Sequence, residues 1–174
     1  CGSGTIPIEA ALIAKNRAPG LDRSFAAQKW KNMDSKLWLE AADEAMDKEF
    51  HGQYDIWGGD IDPAAVELAK HNAALAGVDD CIRFETADAG KFHRDSEYGQ
   101  LVTNPPYGER LLEKKEAEEL YRAFGAALRD LPPKWRVLVL SSHTEFERCF
   151  GRSADKKRKL YNGMIKCDVF MYGK

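Results

Sequence analysis

Apolar positions recur at helical spacing over residues 5–16. Ile8, Ala11 and Leu12 share one face, Pro7 stands in the first turn, and Pro19-Gly20 closes the segment. Residues 21–53 differ: Phe25, Trp30, Trp38 and Phe50 lie among many charges with no strand alternation. Two short amphipathic helices, near 24–31 and 35–50, account for them, with the aromatics expected to pack onto a core. Asp55–Asp60 reads as a short buried strand. A helix then runs to about Ala76, with Asp62 as N-cap, Pro63 as first helical residue and Gly77 as stop. Ile82–Thr86 and Gln100–Thr103 are the next strands, the latter cut off by Asn104-Pro105-Pro106. A charged helix over 113–130 carries Ala117, Leu120, Phe124 and Leu128 on one face. Trp135–Ser141 is the most apolar strand, as expected for one covered on both faces. A short helix near 143–149 follows. Lys157–Tyr161 and Ile165–Tyr172 flank Asn162-Gly163, the strongest short hairpin signal.

This alternation predicts an α/β fold, a mostly parallel sheet with helices on both faces and an antiparallel C-terminal hairpin. The 174 residues suit one domain, with 21–53 as a helical insertion. The chain opens inside a glycine turn, so a strand feeding that turn is expected upstream. At 44% hydrophobic and 31% charged, the composition is that of a packed globular protein. No run approaches the ~18 apolar residues of a membrane span, and no basic-then-apolar leader marks secretion. The net charge of −2 excludes nucleic-acid binding through global charge, leaving a local patch or a further domain for any such contact. Cysteines at 1, 81, 149 and 167 form no CxxC pair, and His51, His71, His93 and His143 lack ligand spacing, so no metal is expected. Scattered thiols fit a reducing cytosol, hence a cytoplasmic protein.

In an open parallel sheet, ligands bind beyond the carboxyl ends of the strands. Gly2 and Gly4 let a ligand approach the main chain, and the helix behind them offers a positive dipole end, although a plain strand-to-helix turn has the same pattern. Pro7 replaces the third glycine of a dinucleotide fingerprint, and no Gly-Lys-Ser/Thr of a P-loop follows. Asp60 ends its strand and can accept both hydrogens of a ribose diol, since Asp62 is the better helix cap. Asp88 can accept from an adenine amine or be an ordinary loop residue. Asn104-Pro105-Pro106-Tyr107 is the sharpest feature. Two prolines hold the Asn104 side chain and the Pro105 carbonyl stiffly side by side. Two acceptors on the hydrogens of a nucleobase amine can turn its lone pair out of conjugation, while Tyr107 stacks on the base. Arg152 and Lys156–Lys159 form a basic cluster that can touch phosphate or be a solvated loop, the latter favoured, and 114–119 reads as a solvated helix face. Cys1, with no His partner, is read as a packing residue.

Residues 1–5 (CGSGT) before a helix, 59–63 (GDIDP) after a strand, and 104–108 (NPPYG) resemble class I S-adenosylmethionine-dependent methyltransferases of amino nitrogens. The fuller runs CGSGTIPIEAALIA, FAAQKW, GGDIDPAAVELAKHN and TNPPYGERL resemble the THUMP-associated RNA methyltransferases that make N2-methylguanine in 23S ribosomal RNA. The resemblance implies S-adenosylmethionine as cofactor and RNA as partner. It puts Gly2 and Gly4 under the methionine part, with Cys1, Ser3 and Thr5 in the same turn. Asp60 would hold the ribose, with Ile61 beside it, and Asp88 the adenine, with Ala87 or Ala89 alongside. Asn104 and Pro105 would receive the amine, with Asn104 also beside the cofactor, followed by Pro106, and Tyr107 would stack. A THUMP-type RNA-binding domain is implied upstream. The rivals are an adenine-N6 methyltransferase, which uses the same NPPY geometry, and a catalytically silent RNA-binding module. The GERL and FAAQKW runs favour guanine N2.

Overall fold

Strand and helix follow one another closely along the apolar pattern. The structure, a computed structural model, describes residues 1–108 and 111–173, and the side chains of all of these except 111 and 112. Glu109 and Arg110, part of the GERL run, lie outside the described residues. The helices are α1 (Thr5–Ala14), α2 (Ser35–Asp47), α3 (Pro63–Leu75), α4 (Leu111–Ala127) and α5 (Phe146–Phe150). The strands are β1 (Ile56–Asp60), β2 (Ile82–Thr86), β3 (Tyr98–Thr103), β4 (Lys134–Ser141), β5 (Lys156–Asn162) and β6 (Ile165–Tyr172). The chain divides into a larger unit (Cys1, Gly59–Ala64 and Glu85–Lys174) and a smaller one (Gly2–Gly58 and Ala65–Phe84).

The larger unit holds the sheet β3-β4-β6-β5. β3 and β4 run parallel, Thr103 opposite Val139, while β6 lies antiparallel to both β4 and β5. The hairpin turns at Gly163, whose φ of 61° suits glycine. On β4, Val137, Val139 and Ser141 are buried and alternate with half-buried neighbours, so one face is sealed rather than both as the run predicts. Onto that face pack Ala117, Tyr121 and Phe124 of α4, Phe146 and Phe150 of α5, and Phe170 and Tyr172 of β6. The rings meet at 4.5 Å (Phe146–Phe170) and 4.9 Å (Tyr121–Phe146, Phe150–Tyr172) between centroids. Each such pair adds about 0.5–1.5 kcal/mol beyond its burial. Gly125 lets α5 close in, since a Cβ there would lie 2.0 Å from the Phe150 carbonyl oxygen.

The smaller unit builds its core from small residues: Ala11, Ala73, Val78, Cys81 and Ile82. Within β1 only Gly58 is buried, correcting the expected buried strand; the Phe84 ring lies where its side chain would be. The aromatics of 21–53 also depart from expectation. α2 buries no residue, Trp30 is 60% and Phe50 61% exposed, and Phe25 pairs with Trp38 at 5.6 Å. The insertion is fastened by polar contacts instead. Phe50 N–H donates to the Lys15 carbonyl (2.7 Å), Asn16 Nδ2 to the Lys48 carbonyl (3.0 Å), and Arg17 pairs with Glu49 (3.0 Å) and Asp22 (2.9 Å). Among the described residues, no helix is long and apolar enough to cross a membrane.

Candidate active site

In the smaller unit the glycine turn is shaped by close backbone packing. Gly4 caps α1 at φ 85°, and a Cβ there would lie 2.9 Å from Cβ of Ala69. Asn72 Nδ2 donates to the Ser3 carbonyl at 2.8 Å, pinning the turn to α3. Gly2, at φ 56°, has nothing within 4 Å of a Cβ built on it, so open space lies over it. Ser3 Oγ and Thr5 Oγ1 are 3.2 Å apart, and no acidic side chain occupies the first turn of α1 to compete for its dipole.

In the larger unit Asp60 ends β1. Its Oδ1 accepts from Asp62 N–H (3.1 Å). Asp62 caps α3 as its spacing predicts, accepting from Ala64 N–H at 2.8 Å. Asp60 is thus a carboxylate fixed in orientation rather than a loose one. Ile61, next to it, is 70% exposed, an apolar surface at a strand end. Asp88 does double duty: its Oδ1 accepts from Gly90 N–H (2.8 Å), capping the 3-10 turn Ala89–Lys91, and its Oδ2 lies 3.9 Å from Lys91 Nζ.

Asn104 follows the last paired residue of β3. Tyr107 O–H donates to Asn104 Oδ1 at 2.6 Å, and Asn162 Nδ2, at the hairpin tip, donates to the Tyr107 oxygen at 3.2 Å. The Pro106 carbonyl accepts from the fully buried Tyr121 hydroxyl at 2.7 Å. That hydroxyl is also 3.3 Å from Ser141 Oγ, which accepts from His143 N–H at 3.1 Å. Among the described residues the Pro105 carbonyl accepts no hydrogen bond. Gly108 closes the tip at φ 68°, and any Cβ there would meet the α4 backbone at 2.5 Å. Burial pushes the Tyr107 and Tyr121 hydroxyls above the ordinary phenol pKa, so both remain donors near neutral pH.

His143 is buried beside this network. Its Nδ1 accepts from Glu145 N–H (3.2 Å), which assigns the proton of the neutral ring to Nε2. Nε2 has no hydrogen-bond partner; Glu118 Oε1 is 3.7 Å away. Burial, followed by Lys114, pushes the imidazole below its usual value. A cleft of about 330 Å³ at this strand end is lined by Ser141, His143, Lys157, Lys166, Asp168 and Phe170.

The sequence-predicted residues Asn104, Pro105, Pro106 and Tyr107 therefore share one strand tip, and Cys1, Asp60 and Ile61 share another strand end. Tyr121, Ser141, His143 and Asn162 were not anticipated. A polar tip at the apolar position between Ala117 and Phe124 is the one signal that points to Tyr121; Asn162 reads only as a turn residue. Among the described residues no cluster of three His, Cys, Asp or Glu could hold a metal ion.

A strand ending in such a proline-locked tip, in a sheet completed by an antiparallel hairpin, defines a class I methyltransferase fold. The chain belongs to the RMKL-like methyltransferase domain family, which it matches over residues 1–170. It is 46% identical over 173 residues to YpsC of Bacillus subtilis, described as a candidate RNA methyltransferase, covering 99% of this chain and 45% of that protein. It is 41% identical over 177 residues to the ribosomal RNA large subunit methyltransferase K/L of Shewanella baltica, covering 99% of this chain and 25% of that protein. The crystal structure of SMU.472, a methyltransferase candidate complexed with SAH, superposes with a TM-score of 0.95 at 42% identity, covering 100% of this chain and 46% of that one. The chain thus spans less than half the length of these relatives.

Proposed function

We propose that this domain methylates the exocyclic N2 of guanine in large-subunit, 23S ribosomal RNA, with S-adenosylmethionine as donor. The observation that carries this reading is the Tyr107 hydroxyl on Asn104 Oδ1. A protein O–H donor already occupies the place a substrate N–H would take, so the carboxamide oxygen faces a donor site. The names of the relatives, one for large-subunit ribosomal RNA and one for RNA, support the substrate class.

The residues fit the donor. In the larger unit, a fixed Asp60 carboxylate suits two adjacent hydroxyls and the exposed Ile61 suits an adenine face. When bound, the donor supplies a methyl carbon activated by the positive sulfur. The protein supplies position. Asn104 Oδ1 and the Pro105 carbonyl each take one hydrogen of the guanine amine, which turns the nitrogen lone pair out of the ring and aims it. The amine attacks before it loses its proton, so no side chain need act as a strong base. Orientation of this kind can be worth about 7–11 kcal/mol. Tyr107 must leave Asn104 as the amine arrives, and its ring then stacks on the extracted base for about 1–3 kcal/mol.

The test is nucleoside mass spectrometry of large-subunit ribosomal RNA incubated with the full-length protein and methyl-labelled donor. Label in N2-methylguanosine is expected. Label in N6-methyladenosine would move the target to adenine, and an unlabelled RNA would end the reading. In parallel, Asp60→Ala should raise the donor's dissociation constant at least tenfold by calorimetry, since each charge-assisted bond is worth about 1.5–3 kcal/mol.

A further inference from the structure

We infer that one face of strand β5 is the track along which the RNA leaves the active site, with Arg158 and Lys156 holding its phosphates. The inference rests on the reading of RNA as substrate. The lysines and arginine at 156–159 lie on the predicted hairpin arm, which is the edge strand of the four-stranded sheet, and every residue of that strand is exposed. Lys156, Lys157, Arg158 and Lys159 stand in succession there. Of the nearby carboxylates, Glu147 takes Lys157 at 2.8 Å, Asp155 takes Arg152 at 3.4 Å, and Asp168 stands opposite Lys159. Lys156 and Arg158 have no ion-pair partner among the described residues.

Alternation along the strand puts Lys156, Arg158, Leu160 and Asn162 on one face and Lys157, Lys159 and Tyr161 on the other. Asn162 is the residue whose side chain donates to Tyr107 at 3.2 Å. The face that touches the base-stacking tyrosine therefore continues, residue by alternate residue, into an exposed Leu160 and two unpaired cations. At about 3.3 Å per residue the strand runs about 20 Å from the tip, room for several phosphates of an extended single strand. Lysines on an edge strand also serve to block sheet-to-sheet aggregation. That purpose asks nothing of which face they occupy, whereas a track requires the Asn162 face.

The test compares three forms of the full-length protein: wild type, Lys156→Glu/Arg158→Glu, and Lys159→Glu on the opposite face. The probe is protein-free large-subunit ribosomal RNA across a salt series. The double variant should bind at least ~10-fold more weakly, and its slope of log affinity against log salt should fall by about 1.4, two phosphate contacts at about 0.7 each. Its SAH affinity should be unchanged. Lys159→Glu should stay within about threefold of wild type. If the double variant loses SAH binding through misfolding, Lys156→Gln/Arg158→Gln replaces it, with a smaller loss in the same direction. Equal losses from both faces, or none from either, would overturn the track while wild type still methylates RNA. A wild type that neither binds nor methylates RNA overturns the substrate reading itself.

Discussion

The two loops that carry the chain's resemblance to its family are built by opposite means. The glycine turn of the smaller unit is defined by what is missing. Gly4 sits at φ 85° with Ala69 and Ile8 pressed where its side chain would be. The Asn-Pro-Pro-Tyr tip of the larger unit is defined by what is added. Tyr121 fixes the Pro106 carbonyl, and Asn162 and Tyr107 fix the Asn104 carboxamide. The cores behind them differ as well, small aliphatics with alanine in one unit and edge-on or tilted aromatic rings in the other. A turn closed by backbone approach should lose stability when bulk is added at Gly4, whereas truncating the side chains that hold the tip should strike function before stability.

The largest expected effect is at the tip. Asn104→Ala should lower kcat by about 10²–10³-fold, the size seen when one preorganised polar contact to a reacting group is lost. Thermal stability and SAH affinity should stay within error, because the side chain is exposed. A parallel loss of SAH affinity would make Asn104 a cofactor residue and break the division. Next comes Gly4→Ala, which should cost about 2–4 kcal/mol in urea unfolding, from the left-handed backbone and from overlap with Ala69. Gly2→Ala sharpens the contrast. Its φ of 56° is also left-handed but nothing crowds it, so only the backbone penalty of about 1–2 kcal/mol should appear. Equal losses at both glycines would mean that packing on Ala69 contributes nothing.

Element order was legible because local rules set it: Asp62-Pro63 starts α3, Gly77 ends it, and Asn162-Gly163 turns the hairpin. The residues of the tip were legible for the same reason, since two prolines restrict the backbone without help from elsewhere. What could not be read was set by partners distant in sequence. The aromatics of 21–53 were assigned to a core on composition, yet only Phe25 and Trp38 meet, and polar contacts to the end of α1 hold the segment. Tyr121 and Asn162 lie 15 and 55 residues from their partners at the tip, and no local pattern announces such bonds. Tyr121→Phe tests how much they matter. It should cost about 1–2 kcal/mol of stability and slow turnover about tenfold while leaving SAH affinity alone. Loss of stability with full turnover would make the bond structural only.

The smallest effect should come from His143, and it discriminates between a site that is wired and one that is merely packed. Its ring is buried, its Nδ1 is committed to Glu145 N–H, and burial first, then Lys114, lowers its proton affinity against the opposing pull of Glu118 and Glu145. The folded state therefore binds the proton less readily than the unfolded chain, whose imidazole titrates near 6.5. Above that value both states are neutral and the difference vanishes. As pH falls below it, the unfolded chain takes up the proton first and stability declines. Unfolding free energies measured at pH 8 and pH 5.5 should thus fall more steeply for wild type than for His143→Gln, whose amide oxygen can still accept from Glu145 N–H. Carboxylates titrate mostly lower, so the window is left largely to this ring. If the two proteins decline in parallel, Glu118 at 3.7 Å from Nε2 is offsetting burial, and the ring binds its proton in the folded protein as readily as in the unfolded chain.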